Sequence, residues 1–122
     1  MTSKLEIAKA LFTAYVAKDR PTAERLLAED FRFTSPLDNA LDRRAYLEIC
    51  WPNSQATEHF DFKHLIEDGD RVFVTYEAST RGGKRFRNTE ILTIRDDRIV
   101  SVEVYFGWNV PHEVPFGSHR DP

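Results

Sequence analysis

The sequence is poor in most residues that announce a chemistry. It has one cysteine, Cys50, in 122 residues, so no internal disulfide can form and no cysteine cluster can hold zinc. No apolar run approaches the ~20 residues that a membrane-crossing helix needs. The stretch from Met1 to Ile7 carries charges every few positions and lacks the apolar core of a secretory leader. A reducing, cytoplasmic setting without membrane contact is therefore expected. Net charge is −3, which gives no electrostatic footprint for nucleic acid. The local basic group Arg81, Lys84, Arg85 and Arg87 reads as the exposed end of a hairpin. P-loop, dinucleotide and nucleophile-elbow patterns are missing, so no cofactor is expected. His59 and His64 lie five apart on a predicted strand and should point to opposite faces; His112 and His119 fall near the end of the chain. No metal site is expected. Cys50, beside Trp51 on an apolar helical face, reads as inert core.

What is present suits one domain over residues 1–122. Hydrophobic residues make up 41% and include fifteen aromatics, enough for a single core. Neither a repeat nor a linker is visible. Ser3-Lys4-Leu5-Glu6 is a capping box, and Leu5, Ala8, Phe12, Tyr15 and Val16 follow at helical spacing, so a helix is predicted from about Ser3 to Lys18. Pro21 opens a short second helix with Ala23, Leu26 and Leu27 as its apolar stripe. Phe31 to Ser35 alternates and reads as a short strand; Leu37 to Leu41 reads as a loop. Asp42 caps a third helix with Tyr46, Ile49 and Cys50 inward, and Trp51-Pro52 ends it.

From His59 onward the chain reads as strands: His59–Glu67, Arg71–Thr80, Lys84–Arg95 and Arg98–Trp108. The turns between them are Asp68-Gly69, Gly82-Gly83 and Asp96-Asp97. Residues 109–122, with three prolines, read as an irregular tail. The fold class is α+β: a four-stranded antiparallel meander plus one short strand, wrapped by three N-terminal helices. If all three turns hold two residues, the register follows by arithmetic. One face then carries Phe60, Phe62, Glu77, Phe86, Asn88, Glu90, Glu103 and Tyr105. The other carries Val72, Val74, Tyr76, Val102, Val104 and Phe106. Both faces are apolar enough to need cover, which predicts a homodimer through one sheet face.

In that register Glu90 faces Glu103. Like charges directly opposite destabilise a sheet, so the pair calls for a shared proton or a cation. A carboxyl so placed in a water-poor pocket keeps its proton to higher pH and can act as an acid. Glu90, with Asn88 and Tyr105, is the candidate catalytic group. Phe33, Trp51, Phe60, Glu77, Phe86, Glu103 and Trp108 are candidate substrate-binding residues. Alternatively the glutamates pair with Arg71, Arg87 or Arg98, and a bulge in the last hairpin would separate Glu90 from Glu103.

Two segments carry a family resemblance. Asp19 to Pro36 (DRPTAERLLAEDFRFTSP) resembles the early helix-strand segment of the nuclear transport factor 2-like superfamily. Arg87-Asn88-Thr89-Glu90 with Arg95 to Gly107 (RDDRIVSVEVYFG) resembles the last hairpin of its SnoaL-like and steroid Δ-isomerase-like branch. The resemblance spans about residues 4–108. It implies a cone-shaped, cystatin-like α+β barrel with a pocket between helices and sheet. The isomerase branch uses a carboxylate base, a tyrosine on the first helix and a protonated acid on a late strand. By the resemblance these positions fall at Ser35, Leu11 and Glu90, so only the last keeps its chemistry; Asp38 and Tyr15 stand nearby as substitutes. Two functions follow. One is acid-base catalysis of isomerase, hydratase or cyclase type, without cofactor, on a small apolar carbonyl or hydroxyl compound. The other is a non-catalytic ligand-binding or dimeric interaction module.

Overall fold

The computed structural model describes residues 2–119. Helix α1 spans Lys4–Ala17 and starts at the expected capping box, with Ser3 Oγ accepting from the Glu6 amide at 3.1 Å. Helix α2, Arg20–Leu26, is capped by Asp19 and has Pro21 in its first turn. Strand β1 begins at once, at Leu27, and runs to Ser35, so Leu27 belongs to the sheet and not to the helical stripe. Helix α3, Arg43–Ile49, is capped by Asp42, whose carboxylate accepts from the Ala45 amide at 2.8 Å. Its buried residues are Tyr46 and Leu47; Ile49, expected inside, is 59% exposed. A 3₁₀ turn, Trp51–Gln55, follows.

Two features of the sheet differ from expectation. Asp38–Asp42, most of which falls in the expected loop Leu37 to Leu41, is an edge strand, β2, paired with β1 through Phe33 and Leu41. Its composition has little strand preference; pairing creates it. Second, β1 runs parallel to β6 (Arg98–Asn109), with Phe33 beside Val102. With β3 (Thr57–Asp68), β4 (Arg71–Thr80) and β5 (Arg85–Arg95), the order is β2-β1-β6-β5-β4-β3. The result is a curved, unclosed six-stranded sheet with helices on its concave side. Phe12 of α1 sits edge-on to Phe60, Phe62 and Tyr76 at 4.9, 5.4 and 5.4 Å between ring centres. Leu27, Phe31, Val72, Val74, Leu92, Ile94 and Ile99 close the core at full burial. Of the expected tail, Asn109 ends β6, residues 110–119 are irregular with bends and a turn, and residues 120–122 lie outside the described residues.

The strand parity also differs, and every difference has a local cause. The first hairpin turns on Gly69-Asp70, because Asp68 pairs with Arg71. Gly69 supplies the positive φ (63°) at the first loop position, which suits glycine. A bulge at Lys63 then shifts β3, so Phe62 faces Tyr76 and Phe60 faces Ala78. That bulge also brings His59 and His64 to the same outer face, contrary to the five-residue spacing argument. The second turn holds three residues, since the Thr80 amide donates to the Lys84 carbonyl at 2.9 Å. Asn88 therefore faces Tyr76, and Glu77 faces Arg87. The third turn has the expected two residues, Asp96 and Asp97, both at positive φ. A bulge between Thr93 and Ile94 then sets Glu90 against Val104 rather than Glu103. A one-residue shift moves side chains to the opposite face. Asn88 and Glu90 thus join Val74, Tyr76, Val104 and Phe106 on the concave side, while Glu77, Glu103 and Tyr105 turn outward.

Candidate functional site

Between α1, α3 and the concave face lies a cavity of about 640 Å³, within the ordinary range for small-molecule sites. Its wall is mostly aromatic and aliphatic. Phe12 and Leu11 come from α1, Tyr46 from α3, Phe33 from β1, Phe60 from the edge strand β3 and Phe86 from β5. Tyr46 is wedged between Phe31 and Phe33 at 5.2 and 5.0 Å, which fixes that side.

A polar chain crosses the apolar wall. The Gly107 amide donates to Asn88 Oδ1 at 3.3 Å, and Asn88 Nδ2 donates to Tyr76 Oη at 3.3 Å. The Tyr76 hydroxyl donates to Glu90 Oε2 at 2.6 Å. Each bond points the same way, from backbone amide to carboxylate. Gly107 is required for the first link, because a Cβ there would collide with the Arg87 carbonyl oxygen. Burial pushes the Glu90 carboxyl up to about 7, although the Tyr76 hydroxyl bond favours the charged form and pulls the other way. Burial is also the main reason that Tyr76 and Tyr15 hold their protons far above the ordinary tyrosine range, with the Glu90 charge second. These tyrosines are hydrogen-bond donors at neutral pH and not bases. Tyr15 donates to the Cys50 carbonyl at 3.4 Å and packs edge-on against Trp51.

A second carboxylate lines the cavity where β1 passes into β2. Ser35 Oγ donates to Asp38 Oδ2 at 2.8 Å and accepts from the Leu37 amide at 3.0 Å. Burial, with the Asp38 charge second, raises the Cys50 thiol to about 11, so Cys50 stays protonated and is not a nucleophile. No group of three or more metal-ligating side chains exists among the described residues.

The sequence-predicted site residues divide cleanly. Glu90, Asn88, Phe33, Phe60, Phe86 and Trp108 line the cavity. Glu77 and Glu103 do not: Glu77 forms ion pairs with Arg87 at 3.0 Å and Arg85 at 3.5 Å on the outer face. Glu103 accepts there from the Tyr105 hydroxyl at 3.2 Å, and Tyr105 is 52% exposed. Trp51 is buried behind Tyr15 and supports the wall without forming it. Tyr105 thus has no part in the cavity, and Tyr76 takes the place assigned to it. Sequence reasoning put Tyr76 on the wrong face because of the same one-residue shifts. Leu11, Ser35 and Glu90, the three positions implied by the family resemblance, all reach the cavity.

A curved, unclosed sheet wrapped by three helices in this order is the α+β cone architecture of the nuclear transport factor 2-like superfamily. A family model for the SnoaL-like domain matches residues 8–102, and the chain belongs to that family. Solved structures agree in fold. A candidate ketosteroid isomerase from Kribbella flavida superposes with a TM-score of 0.75 at 20% identity, covering 98% of this chain and 87% of that one. An NTF2-like protein of unknown function from Cytophaga hutchinsonii gives 0.74 at 18% identity, over 88% and 92% of the two chains. A candidate polyketide cyclase from Sinorhizobium meliloti gives 0.71 at 22% identity, over 84% and 99%. At such identities the likeness establishes the fold alone. Comparison with curated proteins finds no match. No helix among the described residues is long and apolar enough to cross a membrane.

Proposed function

We propose that this chain is a cytoplasmic enzyme. It performs acid-base chemistry, without an organic cofactor, on a small, mostly apolar carbonyl or hydroxyl compound held in the cavity. The observation that carries this reading is Glu90: a carboxyl in an apolar pocket, hydrogen-bonded by Tyr76 and pushed up to about 7 by burial. An acid with that proton affinity suits general acid-base work. Asp38, oriented by Ser35, supplies a second carboxylate on the same cavity. In the simplest scheme Asp38 removes a proton from the carbon beside a carbonyl while Glu90 donates its proton to the carbonyl oxygen, giving an enol. Return of the two protons, to the same or another carbon, completes exchange or isomerisation.

The test does not require the natural substrate. Exchange of α-protons of cyclic ketones into D₂O, followed by NMR, should be catalysed by the native chain. Glu90→Gln should reduce it about 10²- to 10⁴-fold, the usual worth of a positioned acid or base. Unchanged exchange in Glu90→Gln removes that residue from the mechanism. Ligand binding without exchange in the native chain would make it a binding module. The proposal includes pairing of two chains through the outer sheet face, where Ile66 and Tyr105 are 57% and 52% exposed. A monomer by light scattering would end that part of it.

A further inference from the structure

We infer that the cavity mouth receives the anionic end of the ligand, so that the substrate class is small apolar carboxylic acids bearing a carbonyl or hydroxyl group further in. Lys84 is the ion-pair partner, and Asn53 and Asn109 are flanking donors. The inference rests on the reading of the cavity as the site of a small apolar compound.

The basic group on the second hairpin, read from sequence as a solvated end, is not uniform. Arg85 and Arg87 are committed outward to Glu77, and the Arg87 guanidinium also sits 5.7 Å from the Trp108 ring centre. Lys84, itself exposed, stands at the cavity's edge instead. Its ammonium has no ion-pair or hydrogen-bond partner among the described residues, although Arg85 beside it is paired.

The backbone holds Lys84 in place. The Gly83 amide donates to the Thr80 carbonyl at 3.0 Å, and the Lys84 amide donates to Thr80 Oγ1 at 3.2 Å. The Arg81 amide donates to the Ala56 carbonyl at 2.8 Å, which ties this hairpin to the 3₁₀ segment that carries Asn53. Asn109 stands opposite Phe86 in the β5-β6 ladder, and the next amide, Val110, donates to the Arg85 carbonyl at 3.0 Å. Three elements thus converge on one rim. Asn53 and Asn109, both exposed, also edge the cavity, and their side-chain amides, like the Lys84 ammonium, have no partner among the described residues.

The two carboxylates of the cavity wall do not answer this charge. Asp38 accepts from Ser35 at the β1-β2 junction, with β6 between it and the β5 side of the sheet. Glu90 accepts from Tyr76 deep in the cone. An unpaired ammonium flanked by amides, at the mouth of an apolar pocket, favours an anion there. Partial screening by solvent limits the gain to roughly three- to tenfold in affinity.

The test uses the whole chain and displacement of a neutral fluorescent probe, N-phenylnaphthylamine, by two competitors of equal size: phenylbutyrate and phenylbutanamide. The carboxylate should displace the probe at a roughly three- to tenfold lower concentration than the amide, and the gap should narrow in high salt. Lys84→Gln should bring the two competitors level, and Lys84→Glu should invert their order. Equal displacement by both in the native chain overturns the inference, as does a preference that survives Lys84→Gln; the pocket reading survives either result. Failure of the probe and both competitors to bind overturns the inference and the pocket reading together.

Discussion

Replacing Glu90 by glutamine should alter how stability depends on pH more than it alters stability itself. In the folded chain the carboxyl holds its proton to about 7, against an ordinary 4.5, because of burial. Between those values the unfolded chain releases the proton and the folded chain keeps it. Stability from this group is therefore complete below the unfolded value and is lost as pH rises through the folded one. A separation of about two and a half powers of ten in proton affinity corresponds to roughly 3 kcal/mol in a dry cavity. Glu90 is only partly buried, and water in the cavity lowers the figure, so about 2–3 kcal/mol is expected. Glutamine keeps the shape and cannot ionise. The difference in unfolding free energy, variant minus native, should then rise by about 2–3 kcal/mol between ~pH 4 and ~pH 8. Urea titrations across that range measure it, with a midpoint change of about 1–2 M. Other titrating groups cancel in the difference because they are common to both chains. A difference that stays flat within about 0.5 kcal/mol would refute the raised affinity and the reasoning from burial behind it.

Two further substitutions probe the polar chain. Tyr76→Phe removes the donor to Glu90 Oε2 and leaves Asn88 Nδ2 without its acceptor. It should raise the Glu90 titration further and cost about 1–3 kcal/mol; carboxyl-selective infrared or ¹³C NMR titration shows whether the midpoint moves up. Gly107→Ala forces a methyl against the Arg87 carbonyl. It should cost about 1–3 kcal/mol by thermal unfolding and break the Gly107 to Asn88 link; a native melting temperature would contradict the close approach.

Legibility stopped at strand parity. The caps Ser3 and Asp42, Pro21 in the first turn of α2 and the three turn regions were readable because each is a local demand of backbone geometry. Glu90, Asn88, Phe33, Phe60, Phe86 and Trp108 line the cavity. The reason first given for Glu90, opposition to Glu103, fails in the actual ladder. The Lys63 bulge, the third residue in the 81–83 turn and the Thr93/Ile94 shift each add one step. No local residue preference announces them. They arise when the sheet curves to enclose its core, because a bulge increases local twist and bend.

The amino-acid order alone determined the helices and the succession of hairpins, since these follow from contacts within a few residues. Only the tertiary structure decided that Tyr76 and not Tyr105 meets Glu90, that Glu77 and Glu103 belong to the outer face, and that Asp38 and Lys84 reach the same cavity. Side chains alternate with a period of two along a strand, so one added residue exchanges inside for outside. That count is settled by how the whole sheet packs against α1.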